Sequence, residues 1–149
     1  IAACRELKRK LIIVGDGPDR ERLEGLAAGD DRIVFAGRVS DGTKHKLLAA
    51  ARGFIFCSIE DFGIAPVEAM ACGTPVAAYP VTGPIDVLGN SNSGAMHEDL
   101  REACLQALKI PREMARAHAE KFSWKAASEQ FVSHLKPVPS PEVHVTALA

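Results

Sequence analysis

Two carboxylates, Glu60 and Glu68, stand with seven residues between them in the run Glu60-Asp-Phe-Gly-Ile-Ala-Pro-Val-Glu68. Gly63 inside that run has no Cβ and lets an anionic ligand approach the backbone closely. Pro66 reads as a first-turn residue of a helix over Ala65–Cys72, with Gly73 just past its end, the usual placement of proline and glycine at helix boundaries. The leading N–H groups of such a helix, near Gly63, Ile64 and Ala65, lack intrahelical acceptors and stand at the positive end of the helix dipole. That arrangement suits a phosphate. Glu68, read in the first turn, would repel a phosphate placed directly on it, so the anion is expected to one side. There a carboxylate can accept hydrogen bonds from sugar hydroxyls, as acidic residues do for ribose in dinucleotide-binding folds. Taken singly, each acid also has a plain structural account: Glu68 as a charge favoured by the dipole, Glu60 as a solvated loop charge.

The elements that must position these residues alternate. Lys10–Val14, Arg32–Ala36, Gly53–Cys57 and Thr74–Tyr79 read as short β-branched or aromatic strands, each stopped by turn residues. Between them fall a polar helix over Asp19–Ala28, with Leu23 and Leu26 on its apolar stripe, and a helix over Asp41–Arg52 with Ser40 as N-cap. The stretch Pro80–Gly94 holds at most one short element near Ile85–Leu88. Helices over Asp99–Lys109, Pro111–Lys121 and Trp124–Leu135 close the domain, with Trp124 packing the last one down. The pattern predicts an α/β domain, a Rossmann-like three-layer α/β/α arrangement with a mainly parallel sheet covered on both faces. Such sheets bind ligands at the carboxyl ends of their strands. Residues 1–136 form the expected domain and 137–149, with three prolines, a frayed tail.

With 149 residues the chain has room for one domain and a substantial core. Its net charge of −1 and 5% aromatic content argue against a nucleic-acid partner. No apolar run reaches the ~20 residues of a membrane span. Cys4, Cys57, Cys72 and Cys104 show no CxxC pairing and read as reduced thiols of a cytoplasmic protein. The five histidines lack ligand spacing, no Asp-x-Asp occurs, and no metal site is expected. Lys44 and His45 read as a solvated helix face.

The block from Glu60 to Glu68, continued by Ala-Met-Ala-Cys-Gly-Thr-Pro-Val76, resembles the E-x7-E signature of retaining GT-B glycosyltransferases of family 4, glycosyl transferases group 1. Val14-Gly-Asp-Gly-Pro18, Ile33-Val-Phe-Ala-Gly-Arg-Val39, Gly94 and Phe122-Ser-Trp124 fall in the family's order, so the likeness covers roughly residues 10–135. It implies one half of a GT-B fold, the half that holds a nucleotide-diphosphate sugar. It also implies a hexosyltransferase-type enzyme (EC 2.4 class) that passes the sugar to an acceptor hydroxyl with retained anomeric configuration. Position by position, Glu60 would contact hydroxyls of the transferred sugar as the catalytic residue. The backbone amides of Gly63, Ile64 and Ala65 would hold the diphosphate with Phe62 beside them in the donor site, Glu68 would hold the ribose, and Arg38 and Val39 would line the base. The nucleotide sugar is a co-substrate, and no metal or other cofactor is implied.

Departures accompany the likeness. Cys57 and Asp61 stand where many members have Pro and Gly, and Thr82-Gly-Pro-Ile-Asp86 replaces a Gly-Gly-x-Pro-Glu stretch. The family's upstream Arg and Lys, which neutralise the diphosphate, have no counterpart before Gly15. The chain therefore reads as a fragment without its first strand and without the N-terminal domain that would bind the acceptor and make any peripheral membrane contact. Alone, it is expected to bind donor weakly and to transfer little. A nicotinamide-dependent oxidoreductase fits less well, because Pro18 and Arg20 break G-x-G-x-x-G. A non-catalytic Rossmann-like nucleotide-binding or interaction domain is the alternative.

Overall fold

A computed structural model of the chain describes residues 1–137. The order of elements is α1 (Ala2–Glu6), β1 (Leu11–Val14), α2 (Arg20–Ala27), β2 (Ile33–Gly37), α3 (Asp41–Ala50), β3 (Phe54–Phe56) and α4 (Ile64–Ala71). There follow β4 (Val76–Ala78), α5 (Pro84–Leu88), β5 (Gly94–Met96), α6 (Leu100–Ala107), α7 (Arg112–Ala119), a 3-10 turn over Glu120–Phe122 and α8 (Trp124–Ser133). Every strand pair is parallel, as expected when helices link successive strands.

The core sits around β4, the middle strand of β3-β4-β5. Because successive side chains point to opposite faces, Val76 and Ala78 pack with Phe56, Met70, Val87, Leu88 and Ala115 on one side. Ala77 packs with Ala95, Ala103, Cys104 and Ala107 on the other. Helices α4, α5 and α7 thus form one outer layer and α6 the other. Burying a side chain such as Met70 or Leu88, each almost wholly enclosed, contributes about 1.5–3 kcal/mol. Small residues on α6 let it lie close to the sheet, and those on α7 let it lie close to α4.

Several expectations change. The strand β5 falls in a stretch read as irregular, since Gly94-Ala-Met96 carries no β-branched or aromatic residue; its pairing with β4 makes it a strand. A Cβ at Gly94 would stand 2.6 Å from the Val76 carbonyl oxygen, so only glycine permits this approach. The strands also divide into two sheets, β1-β2 and β3-β4-β5. Ile12, Val14 and Val34 leave one face of the β1-β2 ribbon 40–44% exposed, where cover on both faces was expected. Leu26 is half exposed, so α2 turns inward through Ala27. Trp124 is 90% exposed and packs nothing down; α8 buries no residue. The expected tail at 137–149 lies, from residue 138 on, outside the described residues.

Candidate functional site at the start of helix α4

Helix α4 begins one residue earlier than its proline pattern predicts. Gly63 is its N-cap, with φ +89° in the left-handed region, where a side chain is strained and where a Cβ would stand 3.4 Å from Pro66 Cγ. The N–H groups of Gly63, Ile64 and Ala65 donate to no acceptor among the described residues, and Pro66 has none to offer. Ile64 is 69% exposed, so these amides stand at an open rim. Three N–H dipoles at the start of an eight-residue helix make a local positive end.

Glu60 lies in the exposed loop after β3 and has no hydrogen-bond partner among the described residues. What sets its path is a second loop. Gly83, with φ +88°, lies so close that a Cβ there would stand 2.4 Å from the Glu60 carbonyl oxygen and 3.5 Å from that of Phe62. The loop after β4 therefore braces the loop after β3. Phe62 meets Phe122 edge-on at 5.8 Å between ring centroids, and Phe122 meets His118 the same way at 5.4 Å. His118 in turn bonds through Nε2 to the Val87 carbonyl at 2.8 Å. A chain of rings thus anchors the loop that carries Glu60.

Glu68 occupies the second turn of α4, not the first, because the helix starts at Ile64; the account of it as a dipole-favoured first-turn charge accordingly loses its footing. Its Oε1 accepts a hydrogen bond from Lys44 Nζ at 2.8 Å. Lys44 also reaches Asp41 Oδ1 at 3.2 Å, and the Glu68 and Asp41 carboxylates, in that order, hold its ammonium above the usual lysine range. The expectation that Lys44 lies on a solvated face is thereby corrected, while His45 beside it is exposed as expected. Sequence spacing gave no signal for this pair, which joins residues of two helices.

The turn leading into α3 lies at the carboxyl end of β2. Gly37 (φ +64°) makes the turn, with Arg20 Nη1 3.3 Å from where its Cβ would be, and Arg20 is itself tied to Glu24 at 2.7 Å. Arg38 is exposed and carries no ion pair among the described residues, and Val39 is half-buried. Ser40 caps α3 as expected, its Oγ accepting from Thr43 N at 3.3 Å.

The predicted residues form an open surface; two hollows lie elsewhere. One of about 370 Å³ is lined by Cys57, Tyr79, Glu98, Asp99 and Arg101 at the carboxyl ends of β3 to β5. Another of about 220 Å³ lies between Gly73 and Arg112, Glu113 and Arg116. Cys4, Cys57, Cys72 and Cys104 are all free thiols. Burial pushes the Cys104 thiol up to about 11. No helix among the described residues is long and apolar enough to cross a membrane.

Comparison with known proteins bears on the family and the fold. The family described as "Glycosyl transferases group 1" matches residues 1–110. A GDP-mannose-dependent alpha-(1-6)-phosphatidylinositol dimannoside mannosyltransferase of Mycobacterium tuberculosis is 33% identical over 138 residues, 85% of this chain and 35% of the relative. An N-acetyl-alpha-D-glucosaminyl L-malate synthase of Bacillus anthracis is 28% identical over 89% of this chain and 38% of the relative. Among solved structures, a glycosyltransferase involved in avilamycin A biosynthesis superposes with a TM-score of 0.71 at 17% identity, over 89% of this chain and 44% of the other. The Anabaena protein HepE, solved with UDP-glucose, gives a TM-score of 0.62 at 22% identity, over 82% of this chain and 39% of the other. The fold is therefore a Rossmann-like half of the GT-B type. The chain spans about a third of the length of the curated relatives it matches.

Proposed function

The chain belongs to the group 1 glycosyltransferases, and from that premise we propose that it is the donor-binding part of a retaining enzyme that moves a sugar from a nucleotide-diphosphate sugar to an acceptor hydroxyl. The observation that carries this reading is the set of unengaged amides of Gly63, Ile64 and Ala65 at the start of α4, with Glu60 in the loop before them and Glu68 one turn beyond. The amides receive the diphosphate, and fixed N–H dipoles oppose the negative charge that grows on it as the glycosidic bond breaks. Glu60 contacts hydroxyls of the sugar being transferred and Glu68 those of the ribose. Arg38, exposed and unpaired among the described residues, adds a positive charge beside the base and phosphates, with Val39 against the base. The reading calls for no metal. Four free thiols accord with a cytoplasmic setting. The acceptor would be bound by a part of the enzyme other than residues 1–137.

Calorimetric titration of the chain with UDP, GDP and ADP tests it. Expected is weak binding of at least one, with a dissociation constant of about 0.1–1 mM, roughly 4–5.5 kcal/mol. Glu68→Ala should weaken it severalfold and Gly63→Pro should remove it. Absence of heat with all three, or tighter binding of NADH, removes the reading.

A further inference from the structure

We propose that Lys44 is a positioning residue for Glu68: from the first turn of α3 it holds one carboxylate oxygen, so that the other is presented in a fixed direction to the ribose of a nucleoside diphosphate. The inference rests on the donor-site reading above and deepens it. The contact joins two helices across 24 residues of sequence, with Nζ to Oε1 at 2.8 Å. The ammonium also forms an ion pair with Asp41 Oδ1 at 3.2 Å. Of the three N–H donors that an ammonium carries, one goes to Glu68 as a hydrogen bond. Glu68 Oε2 has no partner among the described residues. The two side chains are 31% and 32% exposed, so the pair is neither sealed in the core nor free in solvent. A pair this exposed adds little to stability. Its larger effect is to take away the rotational freedom of a carboxylate that has to meet a sugar hydroxyl, which lowers the ordering needed at the moment of binding.

Asp41 lies three residues before Lys44 on the same helix, and α3 starts directly after the turn that carries Arg38 and Val39. A ligand seated on that turn would therefore meet the Lys44–Glu68 pair next. The consequence is selectivity for a ribose with its 2′-hydroxyl present.

The test titrates the full chain, Lys44→Met and Lys44→Arg with UDP, GDP and ADP and with their 2′-deoxy counterparts, recording thermal unfolding of each protein. The wild type should prefer the ribo form by roughly tenfold, the loss expected when a hydrogen bond to a charged group goes unmade. Lys44→Met should bind both forms nearly alike with its melting temperature unchanged, and Lys44→Arg should restore the preference. If Lys44→Met keeps the preference, or loses affinity for both forms only in step with a lowered melting temperature, Lys44 has no positioning role and the donor site stands without it. A wild type that binds both forms equally removes the role of the pair. One that binds no nucleoside diphosphate removes the donor reading itself.

Discussion

At the scale of single residues, the charges that shape the domain are easiest to test through pH. Asp30, its side chain only 9% exposed, accepts a two-pronged contact from Arg32, Nε to Oδ1 and Nη2 to Oδ2, both at 2.8 Å. The Arg32 guanidinium holds its carboxyl down to about 2. A carboxyl depressed in the folded state binds its proton more readily when unfolded, so its contribution is whole above about pH 4 and vanishes as pH falls through about 2. Urea unfolding between pH 5 and 2 should therefore show a shallower acid-side decline for Asp30→Asn than for the wild type; parallel curves would mean the contact does not carry it. Glu60 and Glu68 were singled out as candidates by the sequence, through their spacing around Phe62-Gly63. Lys44 was not, because its partner is contributed by tertiary packing and no period along the chain brings residues 44 and 68 into register.

At the scale of elements, the caps and breakers were readable and the couplings between helices were not. Ser40 accepts from the chain three residues on, and Gly73 with φ +75° follows α4, both as their residue types demand. Arg112 gives no such signal, yet it ties three elements together. Its Nη1 donates to Ala51 O and its Nη2 to Ala49 O, both at 2.6 Å, and Nη2 also meets Cys72 O at 3.1 Å and Thr74 Oγ1 at 3.2 Å. The carbonyls left over at the ends of α3 and α4 thus find their donors on α7. Arg112→Ala should cost about 1–2 kcal/mol in chemical unfolding, while Arg116→Ala, which shares the same hollow but makes none of these bonds, should cost little. Equal effects of the two would show the contacts to be incidental. The strand β5 was invisible for the opposite reason: three small or flexible residues become a strand only because β4 is there to pair with them.

At the scale of the whole molecule, class was legible from alternation alone, whereas the division of the strands into two ladders was not. Periodicity says which residues are buried strands; it does not say which strand lies beside which. The core around β4 is enclosed on both sides, but the β1-β2 ribbon keeps an apolar face in water. Native-state amide exchange should accordingly show the amides of Val76–Ala78 opening at a free energy near that of global unfolding and those of Leu11–Val14 well below it. A single exchange regime across all five strands would contradict this. A different consequence follows from the contact between Gly83 and the Glu60 backbone. The segment that fixes the path of the Glu60 loop is encoded beyond the stretch bearing both acids, so a lone methyl added at Gly83 pushes that loop aside with the Glu60–Glu68 spacing intact. A search keyed to that spacing alone would not register the displacement.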